Sequence, residues 1–491
     1  MSWVTVDEMR ALENRAIARG VDAGTLMDQA AAGVAALLLD HFPTPGSATA
    51  YIGKGNNAGD AVAVIEILAR HGWKVAIRSS RPPTDCTTLT RQRLRRCGIE
   101  PDTPPPHGPG PRLILDGLLG IGSRGGLREP LFHLAREIEE QRKQRGAIVA
   151  AIDLPSGLDA DTGVAAEGTV IADLTFALGF VKAGLLADSA VDFCGRLFCV
   201  PLAGLEPGPA DRFPKLSLPA NLPDLLPPRP HSFHKGDAGR VTLLAGSPEY
   251  GGAAELCAAG ALRGGAGLVT LFLDPDHPAR PIPEIICRRV ESKIETAFSH
   301  RADARVIGPG LGSMNPKQFD ALKSGLVADA APTVLDADAL NALAAADALD
   351  LLAPHHLITP HPGEFARLAP DLAKLPRMEA VRRFTARHPC TLLLKGARSI
   401  IGAAGEGLYL NPTGHAGMAS GGQGDVLAGV CGALLAGGMT PLHAGILGAW
   451  LCGRAAERAL THGGESEASL SASDTLKHLG GAFTDWKECR R

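Results

Sequence analysis

The chain alternates short apolar runs with amphipathic stretches. Residues 3–41 place apolar side chains at helical spacing: Met9, Leu12, Ala16 and Ile17, then Leu26, Met27, Ala30, Ala31, Val34, Leu37 and Leu38. Asp22 to Thr25 interrupts them, which predicts two helices with a cap on the second. Residues 48–52, 73–78, 113–115 and 147–152 predict short buried strands, and 170–180 and 195–200 two more. The first runs into Gly53-Lys54-Gly55-Asn56-Asn57-Ala58-Gly59-Asp60, with a helix expected over 61–71. The third ends on Asp116, before Gly117-Leu118-Leu119-Gly120-Ile121-Gly122-Ser123-Arg124-Gly125-Gly126, and the fourth on Asp153-Leu154-Pro155-Ser156-Gly157-Leu158-Asp159. A single carboxylate such as Asp116 is ordinarily a helix cap. Carboxylates ending successive strands point instead to an open parallel sheet with one crevice along its strand ends.

The second half repeats the scheme. Strands are expected at 241–245, 268–273, 306–307, 333–335, 357–358 and 391–394, with a hairpin at 400–401 and 408–409. Their turns carry Gly246-Ser247, Gly308-Pro309-Gly310-Leu311-Gly312, Asp336-Ala337-Asp338, Thr359-Pro360-His361-Pro362-Gly363-Glu364 and Lys395-Gly396-Ala397-Arg398-Ser399. Nine prolines between Pro201 and Pro230 predict a linker without regular structure. The expected architecture is therefore α/β: two three-layer domains, residues 1–212 and 231–491, joined by a linker at 213–230.

Asn411 to Gly432 concentrates the chemistry. Gly421-Gly422-Gln423-Gly424-Asp425 leads into a run of small and apolar residues. A glycine turn opening a helix directs free N–H groups and the positive helix end at one point, an anion site suited to phosphate. Asp425 in the first turn is expected both to cap the helix and to act as a base toward a hydroxyl beside that anion. Taken alone, the motif is equally a glycine C-cap followed by an N-capping Asp.

Composition removes other classes. The 491 residues are 45% hydrophobic, 21% charged and 4% aromatic, with net charge −3 and a pI of about 6.6. No nucleic-acid partner and no membrane partner is expected. The first thirty residues hold Asp7, Glu8, Glu13 and Asp28 and no apolar leader core. Ten scattered cysteines without a CxxC pair are read as reduced thiols of a cytoplasmic protein. No GxxxxGK[ST] motif is present, which removes a P-loop as the source of nucleotide binding.

Taken together the motifs resemble a known pair of domains. Asn56-Asn57-x-Gly59-Asp60, Asp116 with its glycine turn, and Asp153-x-Pro155-Ser156-Gly157-x-Asp159 are similar to the NAD(P)H-hydrate epimerase domain, a Rossmann-like fold. His234-Lys235-Gly236, Gly308-Pro309-Gly310-Leu311-Gly312, Asp336-Ala337-Asp338, His361-Pro362-Gly363-Glu364, Lys395-Gly396 and Asn411…Gly424-Asp425 resemble the ADP-dependent NAD(P)H-hydrate dehydratase, a ribokinase-like fold. Epimerase followed by dehydratase is the order in bacterial bifunctional nicotinamide nucleotide repair proteins.

The resemblance implies an enzyme, lyase and isomerase, acting on the hydrates NADHX and NADPHX. Its dehydratase half would phosphorylate the hydrate hydroxyl at the expense of ADP with Mg²⁺ and eliminate phosphate, restoring NAD(P)H. Asp425 would be the catalytic base. Lys395, Gly396, Ala397, Arg398, Ser399 and Gly424 would bind the nucleotide, and Ala253, Gly310, His361 and Asp425 the hydrate. In the epimerase half, Asn56, Asn57, Ala58, Gly59, Asp60, Gly120, Ile121, Gly122, Ser123, Arg124, Gly125, Gly126 and Asp153 would contact the hydrate. Asp153 would be the catalytic acid/base, and Asn57, Asp116 and Ser156 would ligate K⁺. The family also suggests a homo-oligomer.

One departure bears on the epimerase half. Ala58 and Ala61 stand where the family carries glycines, and Lys54 where it often carries proline. A methyl group at a position needing positive φ costs on the order of 1 kcal/mol or more. Two other readings accommodate the same motifs: a first domain that binds without turnover, and a second domain that is a ribokinase-like small-molecule kinase.

Overall fold

The computed structural model describes residues 3–102, 108–122, 125–206, 214–277 and 282–489. The chain divides into two compact units, residues 1–212 and 213–491.

The first unit contains β1 (Trp3–Val4), α1 (Val6–Ala18), α2 (Ala23–His41), β2 (Ser47–Ile52), α3 (Asn56–Arg70), β3 (Lys74–Ser79), α4 (Thr88–Cys97), β4 (Arg112–Gly117), α5 (Leu131–Arg145), β5 (Ile148–Ile152), β6 (Leu174–Leu178), β7 (Val181–Lys182), α6 (Val191–Cys194) and β8 (Arg196–Val200). Six strands form a parallel sheet in the order β3-β2-β4-β5-β6-β8. Alternate residues feed two cores: Leu113, Leu115, Ala150 and Ile152 on one face, Ile114, Val149 and Ala151 on the other. A strand buried on both faces has no polar side to display, so these runs are continuously apolar. Asp22 Oδ2 accepts a 2.9 Å bond from Thr25 N and starts α2, as its sequence predicts. The sheet order reverses between β2 and β4, which opens a crevice at their carboxyl ends.

Helix α3 begins at Asn56, five residues earlier than its sequence suggests. Its N-cap is Gly55, so the Asn56–Asp60 segment is the helix's opening turns rather than a loop. Ala58 and Ala61 are therefore helical, fully buried and part of the core. Neither has positive φ, and their methyl groups carry no backbone strain. The methyl of Ala61 is accommodated because Gly117 lies against it; a Cβ on Gly117 would come within 2.6 Å of it.

The second unit contains β9 (Lys215–Leu216), β10 (Arg240–Leu244), α7 (Gly251–Arg263), β11 (Leu268–Leu273), β12 (Ile286–Arg289), α8 (Lys293–Ser299), β13 (Ala304–Ile307), α9 (Pro316–Ala328), β14 (Thr333–Leu335), α10 (Asp338–Ala345), β15 (His356–Ile358), α11 (Pro362–Leu368), α12 (Arg377–Arg387), β16 (Thr391–Leu394), β17 (Ile400–Gly402), β18 (Tyr409–Leu410), α13 (Gln423–Ala436), α14 (Pro441–Thr461) and α15 (Ala472–Glu488). Its sheet runs β12-β11-β10-β13-β14-β15-β16-β17-β18-β9. Strands from β12 to β16 are parallel, and β16-β17-β18 are antiparallel. Val241, Leu243, Val306, Val334, Leu357 and Leu393 meet α7, α13, α14 and α15 in one core. The alternating Leu244, Ile307, Leu335 and Ile358 are buried as well.

The described part of the proline-rich stretch from residue 214 on, expected as an unstructured linker, behaves differently; residues 207–213 lie outside the described residues. Lys215 N and Ser217 N each donate a 2.9 Å bond, to Leu408 O and Leu410 O, making β9 an edge strand parallel to β18. Leu222 and Leu225 enter the core of the second unit. Pro214 and Pro219 leave the N–H groups between them free to pair, and an edge strand tolerates prolines at its ends. None of the ten cysteines is in a disulfide, Cys194 and Cys199 included. Among the described residues no helix is long and apolar enough to cross a membrane.

Candidate active sites

In the second unit the chemistry gathers at the carboxyl ends of β14, β15 and β16. Asp336 follows β14, Glu364 lies in the first turn of α11 after β15, and Lys395 follows β16. Lys395 Nζ lies 2.8 Å from Asp336 Oδ1 and 3.9 Å from Glu364 Oε2. Burial opposes the lysine's charge, but Asp336 and Glu364 hold its pKa above the ordinary value. Helix α13 starts against this pair: a Cβ on Gly424 would stand 3.3 Å from Lys395 Nζ and 3.9 Å from Asp336 Oδ2.

Gly422 is the N-cap of α13, with φ of 90° and no side-chain cap. Asp425 therefore does not cap its helix, contrary to the expectation from sequence. The glycine makes the left-handed turn itself, which leaves the carboxyl free. The first-turn N–H groups of Gln423, Gly424 and Asp425 have no intrahelical acceptor, the arrangement in which a helix N-terminus can take an anion. Burial and the facing Asp336 raise Asp425 to about 7, with Asp338 and Glu364 adding to the shift and Lys395 opposing it. A carboxylate that titrates there is suited to take a proton at neutral pH.

The other residues that the resemblance assigns to this unit lie on α7, at the start of α11 and in the turns after β13 and β16. Ala253 on α7 packs against Gly310, where an added Cβ would come within 2.7 Å of the alanine methyl. Helix α7 also packs on α13, with Gly429 against Cys257 O. His361 is the N-cap of α11: its Nδ1 accepts from Gly363 N at 3.0 Å and Glu364 N at 3.3 Å, while Glu364 Oε2 accepts from His361 N at 2.8 Å. The Nδ1 is thus an acceptor, the proton sits on Nε2, and the ring is half exposed. Gly396 to Ser399 form the turn between β16 and β17, with Arg398 at φ 57° and Ser399 Oγ donating to Gly396 O at 3.2 Å. Arg377, which the sequence did not single out, clamps this turn. It donates to Ala397 O at 3.0 Å and Arg398 O at 3.2 Å. Gly308, at φ 128°, lets β13 pass Asp336, whose carbonyl oxygen would lie 1.7 Å from an added Cβ.

In the first unit Asn57, Ser156 and Asp116 are linked in one hydrogen-bonded chain through the Leu119 backbone. Asn57 Nδ2 donates to Leu119 O at 2.9 Å. Leu119 N donates to Ser156 Oγ at 2.9 Å, and Ser156 Oγ donates to Asp116 Oδ1 at 2.7 Å. Asp116 also accepts from Ser156 N at 2.8 Å and Leu118 N at 3.2 Å. It is fully buried, and no side-chain cation among the described residues pairs with it. Burial raises it to about 6, against the pull of these hydrogen bonds. A buried carboxylate lacking a countercharge, among hydroxyl, amide and carbonyl oxygens, is a donor set suited to a hard monovalent cation. Gly120 lies directly against Asn57.

Asp153, after β5, has φ 70° and is buried. A left-handed aspartate costs roughly 1–2 kcal/mol, and its neighbours hold it there. Asp153 Oδ1 accepts from Leu178 N at 3.1 Å and pairs with Lys182. Asn56 to Asp60 open α3. Ile121 packs against the Met9 cluster, and Gly122 lies near Arg10. Gly125 and Gly126 are exposed; Ser123 and Arg124 lie outside the described residues. Gly125 also borders a cavity lined by Gly157, Leu158, Asp159 and Thr162.

Two family models match the chain: YjeF-related protein N-terminus over residues 23–184 and NAD(P)H-hydrate dehydratase over 241–478. The bifunctional NAD(P)H-hydrate repair enzyme of Gloeobacter violaceus is 36% identical over 456 residues, covering 87% of this chain and 88% of that protein. Its counterpart from Coxiella burnetii is 32% identical over 490 residues, covering 96% and 97%. The crystal structure of the Bacillus subtilis ADP/ATP-dependent NAD(P)H-hydrate dehydratase covers 55% of this chain and 98% of its own, at 27% identity and a TM-score of 0.48. With both halves matched in order along most of its length, the chain belongs to the family of bifunctional NAD(P)H-hydrate repair enzymes.

Proposed function

We propose that the chain repairs hydrated NADH and NADPH by two activities: epimerisation of the hydrates in the first unit, and nucleotide-dependent dehydration back to NAD(P)H in the second. The observation that supports the dehydratase reading most directly is Asp425. Its carboxyl stands in the first turn of α13, next to the Lys395–Asp336 pair, and titrates at about 7. Asp425 takes the proton from the hydrate hydroxyl as that oxygen attacks the terminal phosphoryl group. The N–H groups of Gln423, Gly424 and Asp425, with Lys395, stabilise the charge on the transferred group. The phosphate ester then eliminates, leaving NAD(P)H and inorganic phosphate. With ADP as donor the other product is AMP.

The segment from Lys395 to Ser399, with Gly424, takes the nucleotide, and Ala253, Gly310 and His361 the hydrate. Mg²⁺ would arrive with the phosphates, as this ion ordinarily does in phosphoryl transfer. In the first unit K⁺ would be held by Asn57, Asp116 and Ser156, where it supplies the countercharge that Asp116 lacks. Asp153 is the acid/base there, and the segments 56–60 and 120–126 face the hydrate. We further take the enzyme to be cytoplasmic and self-associating.

The test is recovery of absorbance at the reduced-nicotinamide band from mixed hydrate epimers with ADP and Mg²⁺. A fast phase followed by full recovery, quicker than the epimers equilibrate unaided, supports both activities. Recovery that stalls at the fraction of one epimer leaves a dehydratase with an inert first unit. No nucleotide-dependent recovery, or undiminished recovery in Asp425→Asn, overturns the dehydratase reading.

A further inference from the structure

The carbonyls of a packed turn need donors. The turn that ends β2 finds all of them in one segment, residues 86–90, where α4 begins. Cys86 Sγ donates to Gly53 O at 3.8 Å, Thr87 N to Lys54 O at 2.9 Å and Thr90 Oγ1 to Gly55 O at 2.9 Å. Three successive carbonyls are thus met from the far side of β3. The contact continues into α3: a Cβ on Gly59 would stand 3.0 Å from Thr90 Oγ1 and 2.5 Å from the Met27 methyl. Thr90 is fully buried and Thr87 is the N-cap of α4, so the segment that holds the turn is itself fixed.

The same segment also reaches a side chain. Thr87 Oγ1 donates to Asn56 Oδ1 at 2.9 Å. Asn56 is the first residue of α3 and is exposed. Among the described residues nothing accepts from its NH2 group. An amide whose oxygen is tied to α4 turns its nitrogen the other way. The first-turn N–H groups of α3 are donors too, because Gly55 provides no side-chain cap. Amide and helix end then have one polarity, donors awaiting an acceptor.

We propose that Thr87 is a positioning residue of the epimerase site, holding the Asn56 amide with its NH2 group turned to the hydrate as a hydrogen-bond donor. The inference rests on the epimerase reading of the first unit, in which Asn56 contacts the hydrate. Thr87 acts through Asn56 and does not itself touch the substrate. An exposed asparagine without this bond samples several rotamers and both amide faces, and binding has to order it. Thr87 removes that cost in advance. The hydroxyl has one hydrogen. Thr87 Oγ1 also lies 3.0 Å from Thr90 Oγ1, and a hydrogen given there would turn the Asn56 amide over and present Oδ1 instead. Substitution at Asn56 separates the two arrangements.

The experiment measures the initial rate of epimerisation against hydrate concentration in the full chain, with the dehydratase rate of the same preparation as the internal control for an intact protein. Thr87→Val keeps the shape and removes the hydroxyl. It is expected to raise KM for the hydrate about tenfold, the worth of one hydrogen bond, with kcat less affected. Thr87→Ser restores KM. In an Asn56→Ala background Thr87→Val should change KM no further. Asn56→Asp still accepts from Thr87 but has no NH2 group, and should raise KM at least as much as Asn56→Ala. An unmoved KM in Thr87→Val, an equal rise with and without Asn56, or a wild-type KM in Asn56→Asp overturns the inference. Should Thr87→Val fail to fold, Thr87→Gly, which an N-cap position tolerates, takes its place in the same comparison. A wild-type chain without any epimerisation overturns the reading of the unit and the inference with it.

Discussion

Removing the charge of Asp336 tests how the second unit makes a base. Asp425 moves from an ordinary value of 3.8 to about 7, which corresponds to roughly 4 kcal/mol in favour of the protonated form. Burial is the largest cause and the facing Asp336 the next. In general, two carboxylates roughly 5–10 Å apart at an effective dielectric near 20 repel by about 2–3 kcal/mol, or about one to two pH units. Asp336→Asn removes that repulsion. It also frees Lys395, now 2.8 Å from Asp336, to act on Asp425, and the two effects have the same sign. A base works only when ionised, so wild-type kcat/KM should rise with pH through about 7. In Asp336→Asn the acid limb should move down by about one to two pH units, in line with the Coulomb estimate. Lys395→Met, assayed at saturating nucleotide, should move the limb the other way. The assay is nucleotide-dependent recovery of reduced-nicotinamide absorbance in buffers of constant ionic strength. An acid limb unmoved in Asp336→Asn, in a protein that still binds nucleotide, would refute the assignment of Asp425 as the titrating base.

Replacing K⁺ by Li⁺ should slow epimerisation about tenfold or more while sparing dehydration, because the small ion does not span the oxygens of Asn57, Asp116 and Ser156; equal rates in both salts would remove K⁺ from that site. Arg377→Ala should raise KM for the nucleotide about tenfold, with kcat less affected, since roughly 1.4 kcal/mol of support for the Ala397 and Arg398 carbonyls is lost. Gly308→Ala should cost several kcal/mol in denaturant titrations, because a Cβ there meets Asp336 O at 1.7 Å on a φ of 128°. Gly480→Ala, in the exposed middle of α15 with no atom within 4 Å of the new methyl, should instead stabilise by about 1 kcal/mol.

Much of the molecule was legible from local pattern. A strand of three to six residues, a glycine turn and a helix are neighbours in the chain, so their signals lie within one short window. This is why the order of β2, β4 and β5, the strand-end carboxylates Asp116 and Asp153, and the GGQGD turn could be located from residue order. Local reasoning failed where one local rule competed with another. Asp425 sits in the right turn to cap α13, but Gly422 with its φ of 90° already makes that turn. Asn56 to Asp60 have the composition of a loop, yet they open α3 because Gly55 provides the cap and Ala58 and Ala61 belong in the core. The prolines from 201 to 230 suggested a structureless linker, although the four residues between Pro214 and Pro219 had free N–H groups and an open sheet edge to meet.

The sequence by itself determined which residue types stand at the strand ends, because parallel strands buried on both faces can carry polar groups only where they emerge. The tertiary structure alone decided which of these groups meet. Asp336 and Lys395 are 59 positions apart, and β14, β15 and β16 lie side by side in one sheet, which brings their carboxyl ends together. Lys182 reaches Asp153 because β1 and β7 pair across most of the first unit's length. The base at about 7 and the buried lysine paired with Asp153 are properties of burial and of charges brought together by folding. Neither has a signature in the order of residues.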